Sequence, residues 1–328
     1  MKKIFVAMLA LAAATACSND ELVSVNQEAI GFDNAFINNS VRSVDPSYTN
    51  DKLFSDFAVF GFVTEENTGT LFDGTQVSGS VLNGEWTYTG TQYWIEGATY
   101  NFYAVAPYSG AWTKTAASVD GVTLTFDNAN GTQDLLFAKA QNIEGQESGQ
   151  NETVEFTFGH ILSKVKFSFT NGYDATNSSI RVENIKINNA YTTGSVVLGA
   201  NDPAWTVQDT NATLELVFGN AATTAVDAEV AFVKDATVES YNERLLIPGA
   251  VTGGYNVTFT VKVLVNGVVV KTYNHNVLVD FTPVAGHSYD IAATIDHTNI
   301  NPDEELDPIE FTVTDITTWT ENDETMTL

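Results

Sequence analysis

The chain has 328 residues, with 14 Lys and Arg against 41 Asp and Glu, a formal net charge of −27 and 44% hydrophobic residues. A polyanion of this strength repels phosphate backbones and has too few cations to release their counterions, which excludes nucleic acid as a partner. The length is ample for two domains with a core each, and a single cysteine, Cys17, excludes an intramolecular disulfide.

Lys2 and Lys3 precede an apolar run from Ile4 to Ala14, then the small residues Thr15 and Ala16, then Cys17. A positive start, a short apolar stretch and small residues before the cut are the pattern of an export signal, and the run is too short to span a bilayer. Residues 1–16 are therefore expected to be removed, leaving Cys17 as an acylated N-terminus; the site is similar to the lipobox of bacterial lipoproteins, with Ala14 where that site prefers Leu. Loss of Lys2 and Lys3 leaves 12 basic against 41 acidic residues, a formal charge of −29. Ser18-Asn19-Asp20-Glu21 follows as an acidic tether, similar to those of lipoproteins carried to the outer face of the outer membrane. No later apolar stretch approaches 18 residues, so lipid is the expected membrane contact.

Ala29 to Ile37 (AIGFDNAFI) is a short alternating segment that places Ile30 and Phe32 on one face. Val41-Arg42-Ser43 comes next, and Arg42 is the only arginine before Arg181. It is a candidate site for an arginine-specific protease; a solvated linker arginine is the other reading. If residues 17–42 include a strand, excising them opens a groove with unpaired backbone and an apolar floor. Burying four or five such side chains is worth about 1.5 to 3 kcal/mol each, so the groove is adhesive.

From there on, apolar and polar residues alternate with period two, and Thr, Val, Tyr and Phe fill the runs: Val119 to Phe126, Val154 to Phe158, Val165 to Phe169, Ile180 to Ile187, Thr213 to Phe218, Tyr255 to Val265 and Val268 to Val279. Asn266-Gly267 between two Val-rich runs predicts a type I′ hairpin turn, and Asn83-Gly84, Asp120-Gly121, Asn130-Gly131 and Asn171-Gly172 mark further turns. Helical periodicity is scarce. The expected fold is all-β, built of β-sandwiches with few short helices. Polar Asn142 to Glu152 marks a seam, so residues 43–158 are expected to form one sandwich and 159–328 a second. A second polar stretch, Thr298 to Asp307, sets off the last alternating segment, with residues 308–328 as a terminal donor-strand candidate carrying Ile309, Phe311, Val313 and Ile316. The flexible linker before it would let it reach a neighbour, and head-to-tail strand exchange of that kind yields a filament.

Catalytic raw material is thin. His160, His275, His287 and His297 fall in no metal-binding spacing, Asp127 to Asp134 has its Gly out of register for a calcium loop, and no phosphate-binding or nucleophile motif is present; neither a catalytic site, a metal nor a cofactor is expected. Nine aromatics between Trp86 and Trp112 would make a glycan-binding platform if exposed in a row, but Trp86 with Tyr88 and Tyr100 with Phe102 alternate as core residues do. A non-polymerising, glycan-binding surface lipoprotein is the rival that exposure of those rings would favour.

Several stretches together resemble the fimbrillin (Mfa-like) family of lipoprotein pilins: Phe54 to Phe62 (FSDFAVFGF), Trp86 to Pro107 with YNFYAVAP, Asp134 to Ala138 (DLLFA), Phe156 to Val165 (FTFGHILSKV), Leu245 to Pro248 (LLIP) and Ile309 to Trp319 (IEFTVTDITTW). The resemblance implies two tandem transthyretin-like Greek-key sandwiches, export as a lipidated precursor, proteolytic loss of a first strand and polymerisation by donor-strand exchange at the cell surface. Arg42 and Ser43 stand where that family's maturation site is expected. His160 and Ser163 fall in a structural strand motif, so no catalytic role carries over. The partners implied are other pilin subunits, outer-membrane lipid through Cys17, and host or bacterial surface ligands for the assembled fimbria.

Overall fold

The computed structural model describes residues 27–37, 55–64, 69–80, 85–199, 201–207, 215–300 and 306–316. Among them there are twenty strands and no helix. The first nine are β1 (Phe32–Ile37), β2 (Asp56–Val63), β3 (Thr70–Ser80), β4 (Glu85–Tyr88), β5 (Thr99–Ala106), β6 (Trp112–Ser118), β7 (Gly121–Asp127), β8 (Leu136–Glu144) and β9 (Val154–His160). Next come β10 (Ser163–Asn171), β11 (Ser178–Ile187), β12 (Thr193–Gly199), β13 (Ala204–Val207), β14 (Leu216–Gly219), β15 (Thr237–Glu239) and β16 (Arg244–Leu246). The last four are β17 (Tyr255–Val265), β18 (Val268–Val279), β19 (Ser288–Ile295) and β20 (Phe311–Ile316).

Seven strands form one sheet in the order β1-β9-β8-β5-β2-β3-β4. Its central strands carry unbroken apolar runs, FAVFGFV in β2 and FYAVA in β5, because the sheet is covered on both faces. One face, with Phe60, Tyr103 and Val105, packs on Val122 and Leu124 of a four-stranded sheet ordered β13-β12-β7-β6. The other face is filled by the sheet's own aromatics, Phe32, Phe57, Phe72, Phe102 and Phe156 among them, so the sheet curls around them. Gly61 in β2 permits the curl: a Cβ there would lie 2.6 Å from Phe72 Cδ2 and 2.9 Å from Phe102 Cδ1.

The second sandwich faces the sheet β15-β10-β19-β20, with β16 also paired to β10, against β14-β11-β17-β18. Phe167, Phe169, Phe218 and Phe259 fill its core. The β17–β18 turn is as the sequence demands, with Asn266 at φ 50° and Gly267 at φ 79°, the two positive values a type I′ turn requires.

The expected division after residue 158 is crossed by a two-strand excursion, and Ile161, Leu162, Leu245 and Ile247 also lie in the first sandwich's core. β11 pairs with β17 in the second sandwich, yet β12 pairs in antiparallel register with β7, Thr193 opposite Asp127 through Gly199 opposite Gly121, and Val196 and Leu198 enter the first sandwich's core. After β13 the chain returns to β14, which pairs with β11. A short alternating run such as Thr193 to Leu198 has one apolar face and will complete any sheet lacking an edge, so local pattern does not say which sheet it joins.

Candidate functional site

β1 closes the curled sheet. On one flank it pairs parallel with β9, Phe32 opposite Val154, and Val154 N–H donates to Gly31 O at 2.8 Å. On the other, Ala29 bridges Tyr93, Ile30 N–H donates to Gln92 O (2.9 Å) and Trp94 N–H donates to Glu28 O (3.0 Å). The Tyr88 hydroxyl donates to Ile30 O at 2.7 Å. The segment is thus hydrogen-bonded on both sides, with strand-like neighbours left and right.

Its side chains do the packing. Ile30 is 1% exposed and Phe32 3%. The Phe32 ring stacks on Phe156 at 5.8 Å and meets Phe57, Phe72, Tyr88 and Phe102 edge-on at 5.4 to 6.3 Å. Each such pair adds about 0.5 to 1.5 kcal/mol beyond burial. Glu28 supplies a polar clasp that sequence reasoning missed: one carboxylate oxygen accepts from Gly149 N–H (2.9 Å), Asn151 N–H (3.1 Å) and Asn151 Nδ2 (2.8 Å). The Asn151 amide first, and then the Gly149 N–H, hold this carboxyl below its ordinary pKa. No local signal marks Glu28, since an acid in an acidic tether looks like solvated charge.

The terminal segment closes the second sandwich in a similar way. β20 pairs antiparallel with β19 at the sheet edge, from Ala293 opposite Phe311 to Ser288 opposite Ile316. Ile309, just before it, is 2% exposed, and the half-buried Phe311 ring meets Phe167, Phe169 and Phe259 at 5.8 to 6.0 Å. Val313 packs on the same core. The Asp315 side chain pairs with His287 Nδ1 at 2.9 Å. Cys17, Arg42 and Ser43 lie outside the described residues, as does the Ile316 side chain.

Two of the four histidines are packed into the sandwiches. His160 Nδ1 lies 2.6 Å from Asp134 Oδ2, both side chains buried, which occupies an acid of the calcium-like loop. His275 stacks on Phe259 with its Nε2 buried and without a hydrogen-bond partner, and burial pushes its pKa down. Among the described residues no three His, Cys, Asp or Glu side chains converge. Of the nine aromatics from Trp86 to Trp112 only Tyr93 is exposed, at 42%. The row of rings that glycan stacking would need is therefore spent on core, which removes the observation the rival reading required.

The described residues thus form two all-β sandwiches, the first taking residues 28–33 into its sheet and core and the second edged by β20. A family profile described as fimbrillin-like matches residues 42–319, and the chain belongs to that family. Membership makes it a fimbrial, cell-surface protein of the adhesion class. Similar solved structures are a candidate cell adhesion protein from Bacteroides ovatus (18% identity, 90% of this chain and 99% of that one, TM-score 0.53) and another from Bacteroides uniformis (18%, 90% and 100%, TM-score 0.52). A third, from Bacteroides eggerthii, is 15% identical over 89% of this chain and 96% of that one, with a TM-score of 0.50. At these identities the likeness is one of fold. No curated protein matches the chain in sequence.

Proposed function

We propose that this chain is a structural fimbrial subunit, exported as a lipoprotein precursor acylated at Cys17, matured by cleavage between Arg42 and Ser43, and polymerised with other subunits by donor-strand exchange. The observation that carries this reading is the placement of residues 28–33: an extended segment with Ile30 and Phe32 buried, hydrogen-bonded on both flanks, and covalently joined to the rest of the sheet only through the chain that contains Arg42. Once that chain is cut, the strand is held by non-covalent contacts alone. Loss of the strand exposes the rings around Phe32 and the N–H and C=O groups of Val154, Gln92 and Trp94, and unpaired groups of both kinds favour a replacement strand.

The choice of Arg42 has independent support. The sequence has three arginines, and the other two lie within strands: Arg181 in β11, paired with Glu229, and Arg244 in β16, its pKa lowered by burial. A protease must draw several residues into its cleft, which a strand held in a sheet does not allow without local unfolding. With both a removable first strand and a terminal donor, the stalk is the favoured position, and an accessory tip position is the next.

The test is to trim the precursor with an arginine-specific protease and follow it on gels. The expected products are ladders of oligomers that resist mild denaturation, absent when residues 308–328 are deleted. Clean cleavage after Arg42 that leaves only monomers would overturn the proposal.

A further inference from the structure

Exchange leaves open how the incoming strand is chosen and in what register. Laid without gaps over Glu28 to Ile37 (EAIGFDNAFI), the segment Asp307 to Ile316 (DPIEFTVTDI) coincides at an acid in the first place, Ile in the third, Phe in the fifth and Ile in the tenth. The first three coincidences fall on the residues to which the groove gives most. The acid matches Glu28, whose carboxylate takes three N–H donors; the first Ile matches Ile30, which is fully buried; and the Phe matches Phe32 in its cage of rings. The intervening residues, which do not coincide, point the other way along an alternating strand.

Resting on the exchange reading above, we propose that residues 307–316 of a second copy occupy the vacated groove in the register of β1, parallel to β9. Ile309 takes the place of Ile30, Phe311 that of Phe32, and the Asp307 carboxylate faces the amides of Gly149 and Asn151. The segment already uses the same two apolar side chains in its own sandwich, where Ile309 is buried and Phe311 sits among Phe167, Phe169 and Phe259. It therefore leaves one aromatic pocket for another of the same kind. A slip by one residue turns Ile309 and Phe311 to solvent, and a slip by two puts Val313 or Ile309 into a cavity shaped by five rings. Glu310 takes the place of Gly31, on the face turned to the exposed Thr153.

That last juxtaposition gives the experiment. A Cβ at position 31 lies 3.9 Å from Thr153 Cβ, within the range of disulfide-bonded pairs. After trimming has removed Cys17, a Thr153→Cys, Glu310→Cys chain is expected to give ladders that become covalent on oxidation and collapse on reduction, while Thr153→Cys, Thr312→Cys ladders stay non-covalent. Gly31→Cys with Thr153→Cys in the uncut chain, on a Cys17→Ser background, calibrates the pair by closing within one molecule. Ladders cross-linked through position 312 and not 310, or through neither, overturn the register and leave exchange standing. Absence of ladders from trimmed wild-type protein overturns exchange and the register together. Should the cysteine variants fail to fold, a synthetic peptide of residues 306–317 added to trimmed wild-type protein is expected to stop ladder growth, with its Phe311→Ala form needing about tenfold more or beyond. Equal potency of the two peptides overturns the register.

Discussion

Replacing Phe32 by Ala in the uncut precursor separates the strand's packing from its covalent attachment. The ring is 3% exposed and touches five others, so truncation falls in the range of buried Phe→Ala changes, about 3 to 5 kcal/mol. Because the residue sits on a single segment at the seam of the curled sheet, most of that loss should appear as easier opening of residues 28–33 and less as global unfolding. A loss of even 3 kcal/mol raises the open fraction by more than about 100-fold. Hydrogen exchange reads this directly at two amides bonded to the segment, Val154 N–H to Gly31 O and Trp94 N–H to Glu28 O, with β17 amides as an internal reference. The expected result is a selective loss of protection at Val154 and Trp94. Unchanged protection there, or an equal loss in β17, would refute the reasoning that the ring cluster holds a separable strand in place.

Three other outcomes follow from the same geometry. His275 has a pKa lowered by burial, so the unfolded chain takes up the proton first: its contribution is fully present above about pH 6.5 and fades as pH falls from there through the folded-state value. His275→Phe should flatten that part of the pH dependence of thermal unfolding relative to wild type, and an unaltered slope counts against it. Glu28 has a lowered pKa, so its clasp on residues 149–151 is present above the ordinary carboxyl range and is lost as pH falls through the folded-state value; in Glu28→Gln the protection of the Gly149 and Asn151 amides should be lower and no longer vary with pH in that window. Val196→Asp should strip amide protection from β7 in the first sandwich and spare β11, although β11 is nearer in sequence; the reverse would contradict the placement of β12.

Much of this architecture was legible in the chain. Alternation in Tyr255 to Val265 and Val268 to Val279, with Asn266-Gly267 between them, fixes a hairpin because the pattern, the turn chemistry and the pairing are all local. Ile30 and Phe32 could be picked out for the same reason, as could Ile309 and Phe311: two apolar residues two apart must share a face. What stayed hidden depends on partners distant in sequence. The parallel pairing of β1 with β9 joins residues more than a hundred positions apart, and no turn residue announces it. Glu28 gains its role only because the 149–151 loop folds over it. β12 reads as one more strand of the second sandwich until the vacancy beside β7 is known. The aromatics near Trp94 are the opposite case, where alternation already weighed against an exposed platform and the curled sheet supplies the reason.

The detour of β12 and β13 has a mechanical corollary. Because the polypeptide passes between the sandwiches three times, from β9 to β10, from β11 to β12 and from β13 to β14, the halves are stitched where other tandem modules hang from one thread. Traction along the molecule is shared among those passes, and the seven paired residues of β12 and β7 must part before the stitching can lengthen. Such a body yields late and as a unit, a property suited to anything that has to hold fast in flow.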